Sequence, residues 1–239
     1  MKLLAFDTST ETLSIAVSAG AGAPVLEHTG PGGAQASAAL IPAIEQLLAQ
    51  AGLALAQLDA IAFGRGPGSF TGLRTAAAVA QGLGFGAGVP VLAIDTLLAV
   101  AEEAHAQSGE ERIVALLDAR MDEVYSAAYE RHDGQWTVRQ APALGRPEDV
   151  LVPPGWALAG NALELHDARL PAGHRIAALP TARALLRLAP QELAASGPHD
   201  AVHAIPLYIR DKVAQTTEER AAERARKEML RGPSVVEPR

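Results

Sequence analysis

The sequence of 239 residues contains no cysteine, and only 4% of its residues are aromatic. The absence of cysteine excludes disulfides, thiolate catalysis and zinc sites built on cysteine. No apolar run approaches the roughly 20 residues of a membrane span, and the apolar N-terminal run is too short for a signal peptide. These absences predict a cytoplasmic protein that has no membrane partner.

Positive charge is also scarce, because 20 lysine and arginine residues stand against 27 acidic residues, for a formal net charge of −7. A field of this sign repels phosphodiesters, so the composition disfavours unaided binding to nucleic acid. Hydrophobic residues nevertheless make up 49% of the chain. That fraction can supply the core of one large domain or of two small ones.

The first half of the chain alternates between short and long apolar patterns. Short runs, some alternating with period two, predict strands, and longer segments with apolar residues three and four positions apart predict helices. The predicted strands lie at 2–6, 13–18, 24–28, 61–63 and 89–94, and the predicted helices lie at 37–51, 71–86 and 96–107. This order is typical of a layered α/β domain.

A second unit is predicted to begin at residue 109. Its predicted elements are strands at 112–117, 123–129, 136–140 and 157–159, a proline-rich linker at 142–155 and a helix at 181–188. We therefore divide the chain into four parts. They are a first lobe (1–108), a smaller second lobe (109–204), an extended segment with a tail helix (205–231) and a disordered end (232–239).

The sequence GRGPGSFTGLR, residues 64–74, lies between the strand at 61–63 and a predicted helix. Its glycines could let backbone amides approach a phosphate at the helix N-terminus. It is not a Walker A loop, because no lysine follows its last glycine. The alternative is a tight turn in which Pro67 fixes φ and Ser69 or Thr71 caps the helix.

Small residues recur at every fourth position of the helix that follows this loop. One row holds Gly72, Ala76, Ala80 and Gly84, and a second row holds Ala78, Gly82 and Gly86. Because glycine inside a helix costs about 1 kcal/mol relative to alanine, we expect another backbone to approach this helix closely. The pattern leaves open whether that neighbour is the protein's own sheet or another subunit.

The residues Asp7, Thr8 and Ser9 follow the first predicted strand and are candidates for cofactor binding. An aspartate there could hold a hydrated metal ion, and the two hydroxyls could meet a phosphate. The alternative is an Asx or ST turn, which such residues commonly form.

Two other groups of residues could carry chemistry. His199 and His203 have the i, i+4 spacing of metal ligands, but they lie close to prolines and no carboxylate accompanies them as in HExxH. Asp118, Asp122 and Glu123 could serve as acid or base, although such a cluster more often forms a turn. No metal site is predicted from either group.

Four segments, in this order, resemble one known family. They are FDTST (6–10), GPGSFTGLR (66–74), LDARMDEVY (117–125) and LYIRDKVAQ (207–215). Together they are similar to the TsaB (YeaZ) family of tRNA threonylcarbamoyladenosine biosynthesis proteins, over residues 1–217. The longest and most specific of the four is GPGSFTGLR.

This resemblance implies an α/β protein with the actin-like, sugar-kinase-like ATPase fold, in two related lobes that each hold a mixed sheet flanked by helices. It implies a non-catalytic scaffold in the complex that makes N6-threonylcarbamoyladenosine beside the anticodon of tRNAs reading ANN codons. The implied partners are a catalytic TsaD-type paralogue, a TsaE-type ATPase, tRNA held only through the complex, and a second copy of the chain. The partners would require ATP and Mg²⁺, and this chain would hold no cofactor of its own.

The resemblance also implies that the helices at 37–51 and 71–86 carry the partner interface. Combined with the periodicity, it assigns that interface to Leu40, Ile44, Leu47, Gly72, Ala76, Ala80 and Gly84.

One alternative function is an ATP-dependent small-molecule kinase of the same fold, with Asp7 near its metal. A phosphotransferase also needs a second phosphate loop and a positioned carboxylate, and the sequence does not offer that set. A third alternative, a metalloprotease, lacks its ligands. The metal-binding HxxxH helix of the paralogue corresponds here to QASAALIPAI (35–44), which has no histidine.

Overall fold

The computed structural model describes residues 1–197 and 199–210, and the first part of the chain forms a five-stranded mixed sheet. Its strands are β1 (Lys2–Asp7), β2 (Thr12–Ala19), β3 (Leu26–Pro31), β4 (Ala60–Gly66) and β5 (Val91–Asp95). Their spatial order is β3-β2-β1-β4-β5. The central strand β1 runs antiparallel to β2 and parallel to β4, so its carboxyl end meets that of β4.

A second five-stranded sheet repeats this arrangement. Its strands are β6 (Arg112–Asp118), β7 (Val124–His132), β8 (Gln135–Gly145), β9 (Ala157–Gly160) and β10 (His174–Ile176). Their order is β8-β7-β6-β9-β10, and β6 runs antiparallel to β7 and parallel to β9. Because β6 therefore takes the place of β1, the predicted fold of two related lobes with mixed sheets is confirmed.

Within the described ranges, five α-helices cover the sheets: α1 (Ala36–Gln50), α2 (Phe70–Ala87), α3 (Thr96–Ser108), α4 (Ala162–His166) and α5 (Ala182–Ser196). Helices α1 and α2 pack on one face of the first sheet, against Leu4 and Phe6 of β1. Helices α3 and α5 share a core with the opposite face, which presents Leu3 and Ala5. Strand β1 is thus apolar on both faces, as expected of a central strand covered on both sides.

Helix α5 follows the second sheet in sequence but packs against β1, β2, β4 and β5 of the first. The backbone amide of Ala182 donates to the Ser14 hydroxyl on β2 at 2.8 Å. Residues 1–209 form one compact unit, so the predicted lobe boundary at residue 108 stays a prediction. The predicted tail helix and the predicted disordered end lie, from residue 211 on, outside the described residues.

Some predicted element bounds were wrong. Strand β8 continues to Gly145, into the stretch predicted as a linker. The strand tolerates Pro142 because β8 lies at the edge of its sheet, where a missing backbone amide does not break a pairing with a further strand. The short elements α4 and β10 were not predicted. None of the helices in the described residues is both long and apolar enough to cross a lipid bilayer.

Candidate functional site

The glycine-rich loop between β4 and α2 packs directly on the turn that follows β1. The Thr8 hydroxyl donates to the carbonyl oxygen of Gly72 at 2.7 Å. A Cβ atom on Gly72 would overlap the Thr8 carbonyl oxygen, and one on Gly68 would lie 2.6 Å from the carbonyl oxygen of Ser9. The glycines are therefore needed because the backbone of the turn occupies the space beside them.

This close packing leaves no open phosphate cradle at the predicted cofactor residues. Asp7, Thr8 and Ser9 do come together, but their exposed fractions are 0%, 0% and 2%. Ser69 stands at the N-cap of α2, yet its side chain makes no capping hydrogen bond, so the predicted capping role is wrong. The loop is a packing element between a strand end and a helix.

The Asp7 carboxyl has one satisfied and one unsatisfied oxygen. Its Oδ1 accepts hydrogen bonds from the Ser9 amide at 2.8 Å and from the Ser9 hydroxyl at 2.6 Å. Its Oδ2 has no hydrogen-bond partner and faces Gly64, where a Cβ atom would overlap it. Burial raises the pKa of Asp7 from 3.8 to about 6, and the bonds from Ser9, with a weaker contribution from the Thr96 hydroxyl, oppose the shift.

The raised pKa of Asp7 gives a prediction about stability and pH. Because the folded protein binds this proton more tightly than the unfolded chain does, the free energy of unfolding should fall as pH rises from about 4 to about 6. The Asp7 contribution to the slope reaches at most about 1.4 kcal/mol per pH unit. Asp7→Asn should remove it, as measured by urea denaturation across this range.

The control for this prediction is Asp133→Asn, since the Asp133 side chain is 88% exposed. This variant should keep the pH slope of the wild type. An unchanged slope in Asp7→Asn would contradict the raised pKa of Asp7.

The predicted interface residues are buried within the chain itself, although Ile44 also lines a groove between α1 and α2. Their side chains lie in the chain's own core, where the exposed fractions of Leu40, Ile44 and Leu47 are 0%, 1% and 4%. Ala76 and Ala80 are 0% exposed, and Gly72 and Gly84 are also buried. The row of small residues from Gly72 to Gly84 lets α2 approach the Thr8 turn and the protein's own sheet, and its predicted contact with a partner stays a prediction.

The second small row of α2 points away from the core. Ala78, Gly82 and Gly86 are exposed, and a Cβ atom on either glycine would meet nothing within 4 Å. Phe85 lies beside this row and is 84% exposed. The exposed side of α2 thus combines small residues with one large aromatic ring, which is the shape that a partner helix can approach.

An open apolar groove of about 300 Å³ lies between α1 and α2. Ile41 and Leu48 line it from α1, Leu83 from α2, and Leu53 and Leu55 from the connection that follows α1. Ile41 is 42% exposed. The groove extends the apolar surface of α2 towards α1.

On its other side, α2 is flanked by the segment 199–209. His199 forms a bridge with Val91 at the edge of the first sheet, and Ala201 packs at Gly84. Val202, Ile205 and Tyr208 of this segment are 60%, 62% and 46% exposed. We call the exposed sides of α1, of α2 and of the segment 199–209 the helix-pair face.

The remaining candidate residues form no shared site. The rings of His199 and His203 lie 6.2 Å apart, and no group of three or more metal-ligating side chains occurs in the described ranges. Asp118 accepts from His166 at 3.2 Å, whereas the exposed Asp122 pairs with Arg169. The contact between His166 and Asp118 was not predicted, because helix α4, which ends at His166, was not predicted.

The predicted turn around Asp122 is present and has an unusual backbone. Arg120, Met121 and Asp122 have φ angles of 61°, 56° and 67°. The Glu123 carbonyl accepts from the Ala119 amide at 3.0 Å and closes the turn. These carboxylates therefore belong to a structural turn.

Comparison with known proteins assigns the chain to a family. A model of the family described as "TsaD: tRNA N6-adenosine threonylcarbamoyltransferase" matches residues 31–227. The tRNA threonylcarbamoyladenosine biosynthesis protein TsaB of Escherichia coli (strain K12) is 34% identical over 238 residues, which cover 90% of this chain and 96% of that protein. The chain belongs to the TsaB proteins of this family.

Other members of the family agree with this assignment. TsaB of Haemophilus influenzae is 36% identical over 237 residues, which cover 89% of this chain and 95% of that protein. The solved structure of YeaZ from Pseudomonas aeruginosa superposes on this chain with a TM-score of 0.80 at 40% identity. The superposition covers 87% of this chain and 99% of the YeaZ chain. The resemblance found in the sequence is confirmed.

Proposed function

We propose that this chain is a non-catalytic scaffold subunit of the complex that makes N6-threonylcarbamoyladenosine beside the anticodon of tRNAs reading ANN codons. It binds and supports a TsaD-type catalytic paralogue in the cytoplasm. A TsaE-type ATPase is the further protein partner, and tRNA is held through the complex. The partner subunits require ATP and Mg²⁺, and this chain holds no cofactor of its own.

The helix-pair face is the observation that carries this proposal. Eleven large hydrophobic side chains are exposed among the described residues. Six of them lie on this face: Ile41, Phe70, Phe85, Val202, Ile205 and Tyr208. A monomeric protein rarely concentrates apolar surface in this way, and such patches mark binding sites for other proteins. When the paralogue is absent, a second copy of the chain is the occupant that we propose for this face.

The closed turn after β1 weighs against the kinase alternative. A kinase would need carboxylate and hydroxyl groups that can reach Mg²⁺ and phosphate. Here Asp7 and Thr8 are 0% exposed, and the Thr8 hydroxyl is already bonded to Gly72. ATP turnover by the isolated protein at rates typical of kinases would favour the alternative over the scaffold.

The proposal is tested by nucleoside mass spectrometry on tRNA from cells depleted of this protein. We expect the modified nucleoside to disappear and to return when the wild-type gene is supplied. Phe85→Asp should fail to restore it, because the change places a charge on the helix-pair face. Val138→Asp is the matched control, since Val138 is 52% exposed on the second sheet, and it should restore the nucleoside. Persistence of the nucleoside after depletion would contradict the proposed function.

A further inference from the structure

Arg74, in the second turn of α2, is held in place by two aromatic rings. Its guanidinium carbon lies 3.8 Å from the centroid of the Phe70 ring. Its Nε donates to the Tyr208 hydroxyl at 3.2 Å, and the two rings pack at 5.6 Å between centroids. A guanidinium that stacks on one ring and bonds to another has a fixed plane, so its terminal nitrogens are oriented before any partner arrives.

Arg74 forms no ion pair within the part of the chain that the structure describes. Seven of the described arginines, among them Arg65, Arg139 and Arg183, form ion pairs with carboxylates. No carboxylate of the described residues lies within 4.0 Å of Arg74. An exposed, oriented guanidinium with no acidic neighbour among the described residues is suited to bind a carboxylate or a phosphate of another molecule.

The position of Arg74 on α2 places it, together with Phe70 and Tyr208, at the helix-pair face. Arg74, Ala78 and Phe85 are spaced i, i+4 and i+11, so they lie on one stripe of α2. Phe70 and Tyr208 remain 39% and 46% exposed. Arginine and aromatic residues are the types that contribute most to protein–protein binding when a partner excludes water from them.

From these observations we infer that Arg74, oriented by Phe70 and Tyr208, is the polar anchor of the helix-pair face and receives a carboxylate of the protein partner. The inference rests on the proposed function. A protein carboxylate is favoured over an RNA phosphate because Arg74 is a single cation on a chain of net charge −7. Binding of RNA requires several phosphate contacts, which that charge opposes.

The test measures the affinity of the purified chain for the TsaD-type paralogue of the same organism by calorimetry, at low and at high salt. Arg74→Gln should weaken binding on the order of thirtyfold and reduce its salt dependence. Arg74→Lys should recover part of the loss, because lysine keeps the charge but not the planar fork. Arg112→Gln is the control, since Arg112 is exposed and unpaired among the described residues but lies on β6. It should bind like the wild type.

Tyr208→Phe is a second variant, which removes only the hydroxyl that orients Arg74. It should weaken binding less than Arg74→Gln does. If Arg74→Gln has a lower melting temperature than the wild type, Tyr208→Phe still tests the role of the oriented guanidinium. Wild-type affinity in folded Arg74→Gln would overturn the inference. If that variant instead keeps its affinity for the paralogue but lowers retention of tRNA by the complex, Arg74 serves RNA and the inference is equally wrong.

Phe85→Asp separates the inference from the proposed function. If Phe85→Asp abolishes binding and Arg74→Gln does not, only the anchor role of Arg74 fails. If neither variant changes binding, the paralogue does not use the helix-pair face, and the structural basis of the proposed function fails as well.

Discussion

Ala80→Arg is expected to destabilise the fold severely, whereas Ala78→Arg, two positions earlier on α2, should leave the fold intact. Ala80 is 0% exposed and packs in the core between α2 and the first sheet. Placing an unpaired charge there should cost more than about 4 kcal/mol, a large share of the roughly 5–15 kcal/mol that stabilises a typical domain. Ala78 is exposed, so arginine at that position extends into solvent. Thermal unfolding followed by circular dichroism measures both effects.

The two variants also separate folding from binding. Folded Ala78→Arg should fail to bind the paralogue, because the long side chain prevents close approach of a partner helix. If both variants unfold, the second row of α2 is not a free surface. If Ala80→Arg melts like the wild type, the first row does not face the core, and the orientation of α2 given above is wrong.

Gly72→Ala is expected to destabilise the protein strongly, whereas Gly82→Ala should stabilise it slightly. A Cβ atom on Gly72 would overlap the Thr8 carbonyl oxygen, which belongs to the backbone and cannot move alone. Separating the loop from the turn should cost about 3 kcal/mol or more. A Cβ atom on Gly82 meets nothing within 4 Å, so alanine should gain roughly 0.5–1 kcal/mol from its better helix propensity.

Chemical denaturation of the two glycine variants measures these changes. The decisive result is that the free energy of unfolding changes in opposite directions in the two variants. Both variants carry the same substitution in the same helix, so only the surroundings of the two glycines differ. Equal destabilisation would mean that glycine is needed on both rows, so that Gly82 also packs closely on the chain itself. A neutral Gly72→Ala would show that the loop does not press on the Thr8 turn.

The sequence contained enough to predict the fold class but not the orientation of α2. Apolar patterns predicted all five strands of the first sheet: four of them contain buried side chains, and one face of β3 is partly buried. The two rows of α2 have almost the same composition, however, and a row of alanine and glycine carries little hydrophobic contrast. Which row faced inward depended on the Thr8 turn and on Val89, whose backbone oxygen would lie 2.9 Å from a Cβ atom on Gly84.

Comparing the first half of the sequence with the second half did not show that the two lobes are related. Asp7 and Asp118 end the equivalent strands β1 and β6, but the residues around them differ because one turn is buried and the other is exposed. The Phe70–Arg74–Tyr208 cluster could not be predicted either, since 134 positions separate Arg74 from Tyr208. Such clusters arise only when the segment 199–209 returns along α2.

The most direct test of the central claim is isothermal titration calorimetry of the purified chain with the TsaD-type paralogue of the same organism, for the wild type and for Ala78→Arg. The scaffold role through the helix-pair face predicts saturable binding of the wild type and no binding of the folded variant. Absence of wild-type binding would contradict the scaffold role. Equal binding by the variant would contradict the use of this face.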